Sequence, residues 1–559
     1  MVFLYKKKII LFLIALCTLF SVNAAPRGKQ ELILSGSFIY DALTAIAMES
    51  GRTDFTDQTP LTIAEILMYM EEIDYDSLSD AGKKSYDSVV NYINAKNWSF
   101  DSGLISIGIA PEVYLEGYYK TNGDIDWVYD RYSRNPFLYI PATVSVGDYI
   151  SMATELTFGD SQLAMLKNDN YVNIPTSFNE FDINFPDWGY ISTGISLPEN
   201  TGLNFQLGMG TQDIGRSLTG SVIMSSYFTG ASYGKLEFYS PNFRYNMDVI
   251  EFNVDKYMYL HQMDFRPFKK LQFSVMEGTL VDAPLELRFL NPWIIYHGMA
   301  DWWSYGIDYD TDTCAYFCFK ASYTPVKYLR LYALYAQDQI QVPSEQTETD
   351  TTPNAMGFQL GVESYIPFRN GYFHTWLEGY YADPFLYIKY QPNSSLVRTY
   401  YEALYDANTA FYEWVGSPFG PDTIACEFNF GYEVPEKWSV TFSYLFKASG
   451  EYCSGTNAFK GVSWGGRNLA SYPSNWVYPN SSTQSDAKER QHWLTPTGTP
   501  EYLNRIALKG EYSFTDYFSI ACQPAFIFIF NNNNVEGDFD MGVEFALVVS
   551  FKPCILLKR

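Results

Sequence analysis

The sequence predicts an all-β transmembrane antiparallel β-barrel of about 18 strands, with 16 the next even count, preceded by a small N-terminal α-helical region. Three observations carry this. The chain opens with an export leader. After about residue 98 it repeats strands that have one apolar and one polar face. Aromatic residues make up 18% of the 559, with 47 Tyr, 41 Phe and 12 Trp, and outer-membrane barrels need aromatic girdles at both interfaces.

In the leader, Lys6, Lys7 and Lys8 precede an apolar run from Ile9 to Val22 that is too short for an easy bilayer span. Val22-Asn23-Ala24 places small residues for cleavage before Ala25. Residues 1–24 are therefore expected to be a cleaved signal peptide. The alternative, a lipoprotein cysteine at Cys17, is disfavoured by Leu16 just before it.

Residues 25–34 read as a tether and 35–97 as a periplasmic helical bundle. Phe38, Ala42, Ala45 and Ile46 recur at helical spacing, and Gly51 follows as a stop. Thr62-x-x-Glu65 is a capping box ahead of Ile66, Leu67 and Met70. A third helix is expected over 79–95, with Tyr86, Val89, Val90 and Ile93 inward.

From residue 98 to 559 the texture is β. About 17 segments are expected, at 104–115, 144–158, 188–197, 203–209, 221–228, 235–240, 249–265, 270–281, 314–323, 329–340, 356–366, 372–381, 424–433, 438–447, 506–514, 518–530 and 539–551; the even-number rule for bacterial barrels then favours 18. The last is the clearest: Phe539, Met541, Val543, Phe545, Leu547, Val549 and Phe551 share one parity, and Asp538, Asp540, Gly542, Glu544, Ala546 and Ser550 share the other. Trp438, Val440, Phe442, Tyr444 and Phe446 likewise oppose Ser439, Thr441, Ser443 and Lys447. Ile506, Leu508, Tyr512 and Phe514 oppose Arg505, Lys509, Glu511 and Ser513. Both signs of charge thus face a filled or watery lumen. Hairpins are expected at Arg369-Asn370-Gly371 and at Pro435-Glu436. Long connections at 283–312, 341–354, 382–423 and 448–503 contrast with turns of a few residues, which is the asymmetry of an outer-membrane barrel. Function is expected on the long loops.

Charge excludes some partners. Without the leader lysines the chain has 35 basic and 63 acidic residues, a net charge of 35 − 63 = −28, which argues against nucleic acid and anionic lipid. The six cysteines after the leader are scattered, with no CxxC, so neither a metal nor a redox site is expected, and no cofactor. Only His261, His297, His374 and His492 are present, with no HExxH and no GxSxG. No catalytic residue is expected and the chain is read as a non-enzyme. Two loop clusters join aromatics to polar groups: Trp293, Trp302 and Trp303 near Asp301, and Trp464 and Trp476 beside Arg467, Asn468 and Asn475. Sugars stack C–H faces on such rings while carboxylates and amides bond their hydroxyls. Interfacial girdles or loop cores would use the same residues.

One stretch adds a family likeness. Residues 257–297 read YMYLHQMDFRPFKKLQFSVMEGTLVDAPLELRFLNPWIIYH. A Tyr-x-Tyr-x-His strand, a strand ending in Met-Glu, and a loop reaching Leu-Asn-Pro resemble the Wzi family of capsule-assembly outer-membrane barrels. The run from Gly208 and Gly210 through Asp213, Gly215-Arg216 and Leu218 to Ser221 resembles that family's Gly-rich hairpin. The resemblance implies an 18-stranded closed barrel with a periplasmic helical part. It also implies non-catalytic, lectin-like binding of exported polysaccharide at the bacterial outer membrane. The matching positions are Arg216, His261, Glu277, Asn291 and Pro292. Glu277 shares parity with Leu271, Phe273 and Val275; a carboxylate facing lipid is costly, so it is expected past the membrane edge or turned inward by a bulge, where a salt bridge to Arg216 or Arg288 would only shape the barrel. The expected partners are surface polysaccharide and outer-membrane lipid; the alternative function is a porin-like channel for small solutes, cation-preferring given its carboxylates.

Overall fold

The computed structural model describes residues 27–553 outside 54–56, 95–98, 126–134, 160–169, 176–182, 185, 297–312, 341–354, 390–391, 402–409, 452–467 and 471–492. The expected signal peptide lies outside the described residues. Among the described residues, 18 antiparallel strands close into one barrel. They are β1 (Glu112–Lys120, continued backwards by Ile105–Ile109), β2 (Leu138–Val146), β3 (Ile150–Phe158), β4 (Gly189–Leu197), β5 (Thr201–Gly210) and β6 (Ala231–Tyr239). Next come β7 (Phe243–Asn253), β8 (Lys256–Phe268), β9 (Leu271–Asp282), β10 (Thr313–Val326), β11 (Leu329–Gln339) and β12 (Ala355–Phe368). The last are β13 (Gly371–Ala382), β14 (Thr423–Val434), β15 (Trp438–Ser449), β16 (Glu501–Thr515), β17 (Phe518–Phe530) and β18 (Phe539–Phe551). β18 closes on β1 in register from Phe551↔Val113 to Glu544↔Lys120.

The alternation read in the sequence is the wall's two faces. Along β18, Phe539, Met541, Val543, Phe545 and Leu547 are 39–51% exposed, whereas Glu544 and Ala546 are 2% and 0%. An apolar face this open around a closed barrel has hydrocarbon as its solvent.

Three segment boundaries differ from expectation. The stretch 144–158 is not one strand but parts of β2 and β3, broken at Gly147 with φ +53°. The stretch 249–265 is likewise split between β7 and β8 by Val254-Asp255, with Asp255 at φ +60°. Uninterrupted apolar alternation hid both turns. The stretch 221–228 is not a wall strand. It folds into the lumen, where Met224 bridges Ile214. At the expected Asn-Gly turn, the positive φ falls on Arg369, and Gly371 already pairs with Phe368. Gly371 is needed for close approach: a Cβ there would sit 2.2 Å from the Glu433 carbonyl oxygen.

Eight short turns, between β2 and β3 and then every second pair to β16 and β17, share one end with the barrel termini. The opposite end carries the long connections, apart from the tight turn at 254–255. The helical region fills the short-turn mouth. Its helices are α1 (Phe38–Glu49), α2 (Ile63–Met70) and α3 (Asp80–Asn94). Thr62 and Glu65 form the capping box in full. Ile39, Leu43, Ile46, Ile63, Ile66, Val89 and Ile93 make a core of their own, while Phe38 points outward.

Ion pairs and polar bonds bind this core to the wall. Arg244 of β7 is buried and pairs with Glu65 of α2 and, at 3.0 Å, with Glu237 of β6. Arg266 of β8 meets Glu72 at 2.6 Å, and the Tyr372 hydroxyl of β13 donates to Glu49 at 2.8 Å. Removing one partner of a buried pair costs about 3–5 kcal/mol, because the other charge stays uncompensated. Arg244→Met is expected to loosen the helical region without opening the barrel: limited proteolysis should cut within 35–97 while the sample keeps its heat-modifiable gel mobility.

Candidate functional site

The lumen is filled by two segments that meet at mid-height. From the short-turn end, the link between α1 and α2 carries Asp57, Gln58 and Thr59 inward. From the long-loop end, the connection 211–230 descends. They pair as a two-residue ribbon, Asp213↔Thr59 and Ile214↔Gln58. The Asp57 carbonyl accepts from the amides of Gly215 at 2.7 Å and Arg216 at 3.0 Å. Its carboxylate accepts from the Ser274 hydroxyl and, at 3.3 Å, from Gln262. Arg216 lies 3.5 Å from Asp41 and over the Tyr40 ring at 5.1 Å. Its carbonyl accepts from Lys320 Nζ at 3.0 Å.

Above this junction the chain is locked to the far wall. Glu378 of β13 accepts from the amides of Leu218 at 2.9 Å and Thr219 at 3.0 Å, from Gln359 at 2.6 Å, and from the Tyr332 hydroxyl. The Tyr316 and Tyr387 hydroxyls both donate to the Val222 carbonyl, at 2.9 and 2.5 Å. Tyr387 belongs to the connection 383–422, so a second long loop also folds inward. A buried carboxylate saturated in this way holds its segment firmly.

The likeness residues do not form one site. Arg216 is in the lumen; His261 and Glu277 are on the outer face. They face each other in register across β8 and β9, with no bulge at that point. The expected inward bulge at Glu277 is absent, because the parity of β9 runs unbroken from Phe273 through Glu277. The expected salt bridge from Arg216 to Glu277 is excluded by position: Arg216 sits on the connection inside the lumen, beside Asp41, and Glu277 leaves the outer face of β9.

The outward polar pair is covered instead. Residues 283–296 double back over the exterior as a strap. Phe289 stacks on Tyr259 at 4.8 Å, and Tyr296 lies 4.4 Å from the His261 ring. The Glu286 amide donates to the Tyr259 hydroxyl at 3.0 Å. Pro292 fixes the strap by accepting from the Tyr245 hydroxyl at 2.8 Å, and Asn291 caps its own turn by accepting from the Trp293 amide at 3.1 Å. The strap removes the polar histidine ring from contact with lipid. Trp293 is 92% exposed on the strap's outer side. Arg288 pairs with Glu286 on the strap itself. Asp301, Trp302, Trp303, Trp464 and Trp476 lie outside the described residues.

Sequence reasoning missed a cavity. About 880 Å³ of space lies between the helical region and the inner faces of β1–β3 and β16–β18. It reaches the short-turn end, where Glu436, Asp516 and Tyr517 line it. Tyr92, Tyr114, Tyr139, Trp188 and Tyr190 supply an aromatic side. Trp188 and Tyr190 stack at 6.2 Å, and the Trp188 indole N–H donates to the Tyr139 hydroxyl at 3.3 Å. Arg27 lies 3.9 Å over the Tyr92 ring and pairs with Glu31. Burial pushes the Tyr92 hydroxyl above the ordinary phenol range against the opposing pull of Arg27, so it keeps its proton. Farther along the same strands Arg505, Ala507, Gln523, Ala525 and Glu544 are buried, and just after β1 Lys120 Nζ donates to the Ile125 carbonyl at 2.6 Å. The elements that build this space come from both ends of the chain, and no local motif marks it. No cluster of metal-ligating side chains occurs among the described residues. Cys314, Cys318, Cys426 and Cys522 are free thiols.

Comparison with known proteins supports the fold. No protein-family model and no curated protein matches the chain. Among solved structures it is similar to Wzi of Escherichia coli, described as an outer-membrane protein involved in group 1 capsule assembly and a carbohydrate-binding β-barrel, at 10% identity and TM-score 0.53, over 93% of this chain and 99% of that one. OprD of Pseudomonas aeruginosa matches at 11% identity and TM-score 0.37, over 79% of this chain and 94% of that one. OmpT of Vibrio cholerae matches at 9% identity and TM-score 0.33, over 81% and 99%. At these identities the likeness to Wzi speaks for the fold, an outer-membrane β-barrel.

Truncating a buried aromatic costs about 3–5 kcal/mol, and Tyr296 is 0% exposed. Tyr296→Ala is therefore expected to release the strap: trypsin should cut after Arg288 in the variant and leave the parent intact, with both barrels still heat-modifiable.

Proposed function

We propose that this protein is an outer-membrane barrel that holds exported surface polysaccharide at its long-loop end, without catalysis, and that residues 35–97 face the periplasm. The observation that favours this reading over the porin-like one is the inserted chain: among the described residues the ribbon between 57–59 and 213–216 crosses the lumen. A conducting pore needs a continuous watery path, whereas here Asp57, Gln262, Ser274, Gln359 and Glu378 spend their polar groups on the plug. A plugged barrel of this kind serves as a platform for its loops.

Two further observations agree with a glycan ligand. The long connections carry Trp302 and Trp303 beside Asp301, and Trp464 and Trp476 beside Asn468 and Asn475, the combination of ring and polar group that grips a sugar. The fold likeness is to a barrel described as carbohydrate binding. The same loops are the assigned contact surface, with Trp293 belonging to the strap beside them.

Two measurements test this. Purified full-length protein in planar bilayers is expected to be silent at all voltages; steady single-channel steps from a heat-modifiable sample would restore the porin reading. In cells, replacing Trp302 and Trp303 together by Ala is expected to lower retained surface polysaccharide by about tenfold or more, each lost stacking contact removing about 1 kcal/mol. Unchanged retention would remove the loops from the site.

A further inference from the structure

We propose that the cavity at the short-turn end is a second binding site, one that takes a neutral or amino-substituted oligosaccharide segment from the periplasmic side. The proposal rests on the polysaccharide reading above and extends it to the opposite face of the barrel.

Size comes first. At about 880 Å³ the space lies within the range of small-molecule sites, roughly 300–1,000 Å³, and can enclose a few sugar rings. Its chemistry is two-sided. Trp188, Tyr139 and Tyr92 present ring faces and edges, and each also carries an N–H or O–H. Opposite them, the inner faces of β16–β18 present Glu511, Ser513, Ser519 and Ser550. A sugar ring has the matching two-sided character, an apolar C–H face and a rim of hydroxyls. An acyl chain would set its apolar surface against this row of serines and carboxylates and remove them from water.

Charge narrows the class. The lining holds Glu31, Glu112, Glu436, Glu511 and Asp516 against Arg27, Lys509 and Lys552. Arg27 and Lys552 are already paired, with Glu31 and, at 3.4 Å, with Glu112. The carboxylates in excess repel a uronate- or phosphate-bearing glycan and suit a neutral or amino sugar. Position explains access. The turn residues Glu436, Asp516 and Tyr517 line the cavity where it reaches the short-turn end, so a ligand enters from that side.

Ala521 of β17 is opposite Glu511 and Val548 in register and faces the cavity. Ala521→Trp fills the space from the wall. Ser550→Trp does so from β18 and serves if the first variant folds poorly. Phe530→Trp, on the lipid face of β17, is the control. Full-length protein in nanodiscs is titrated calorimetrically with maltohexaose, with a chitosan hexamer and with an oligogalacturonate of the same length. Saturable binding of the neutral or amino probe is expected, weakened at least tenfold by a cavity-filling variant and unchanged in the control. No binding of any probe, preference for the oligogalacturonate, or binding indifferent to both filling variants would overturn the proposal. Surface retention measured on the same variants separates the two sites. Retention lost only on replacing Trp302 and Trp303 belongs to the loops, and oligosaccharide binding lost only on filling belongs to the cavity.

Discussion

Every backbone amide and carbonyl that faces hydrocarbon must find its partner within the protein, because lipid offers none and each unsatisfied group costs several kcal/mol. The pairing of β18 with β1 from Phe551↔Val113 to Glu544↔Lys120 is where that demand is met last, since it joins the first and last wall strands among the described residues. The rest of the molecule follows from it. Closure fixes an inside and an outside, and the period of two along each strand assigns every side chain to one of them. Glu544 and Ala546 therefore go to the lumen while Phe545 and Leu547 go to lipid.

An inside lined with charge is stable only if those charges are hydrated or paired. Here pairs form both with inserted chain and within the wall. Arg244 meets Glu65, Arg266 meets Glu72, and Arg330 meets Glu363 within the wall. Buried ion pairs contribute little net stability, because desolvation offsets the attraction, but an unpaired member is costly. The network thus specifies position more than it adds stability: α1–α3 seat where their carboxylates find the wall's arginines. The same logic sets Asp57 at the junction with Gly215 and Arg216, where a single residue binds the insert from below, the insert from above and the wall.

The exterior shows how an exception is handled. His261 and Glu277 face outward in the middle of otherwise apolar strands. The chain neither bulges nor shifts register. It lays Phe289 and Tyr296 over the pair and ties the strap with Pro292 and Asn291. Of the residues that resemble a capsule-assembly family, His261, Glu277, Asn291 and Pro292 gather at this strap on the outer wall, separate from the lumen where Arg216 lies and from the cavity at the short-turn end.

Local pattern determined what depends on neighbours in sequence. Alternation predicted an all-β barrel with 18 strands as the favoured count, Thr62 and Glu65 predicted the start of α2, and loop lengths predicted which end carries the long connections. Strand ends were less legible where apolar alternation ran through a tight turn, as at Gly147 and Asp255. Only the tertiary structure decided that 221–228 leaves the wall to plug it, since its apolar residues suit a lumen core as well as a strand. Only it placed Arg216 and Glu277 on opposite sides of one wall, and only it created the cavity between α3 and β16–β18. These outcomes depend on contacts between residues hundreds of positions apart, such as Asp57 with Ser274 and Tyr372 with Glu49, and the period of a strand has no means of encoding which distant segment will fill the space it encloses.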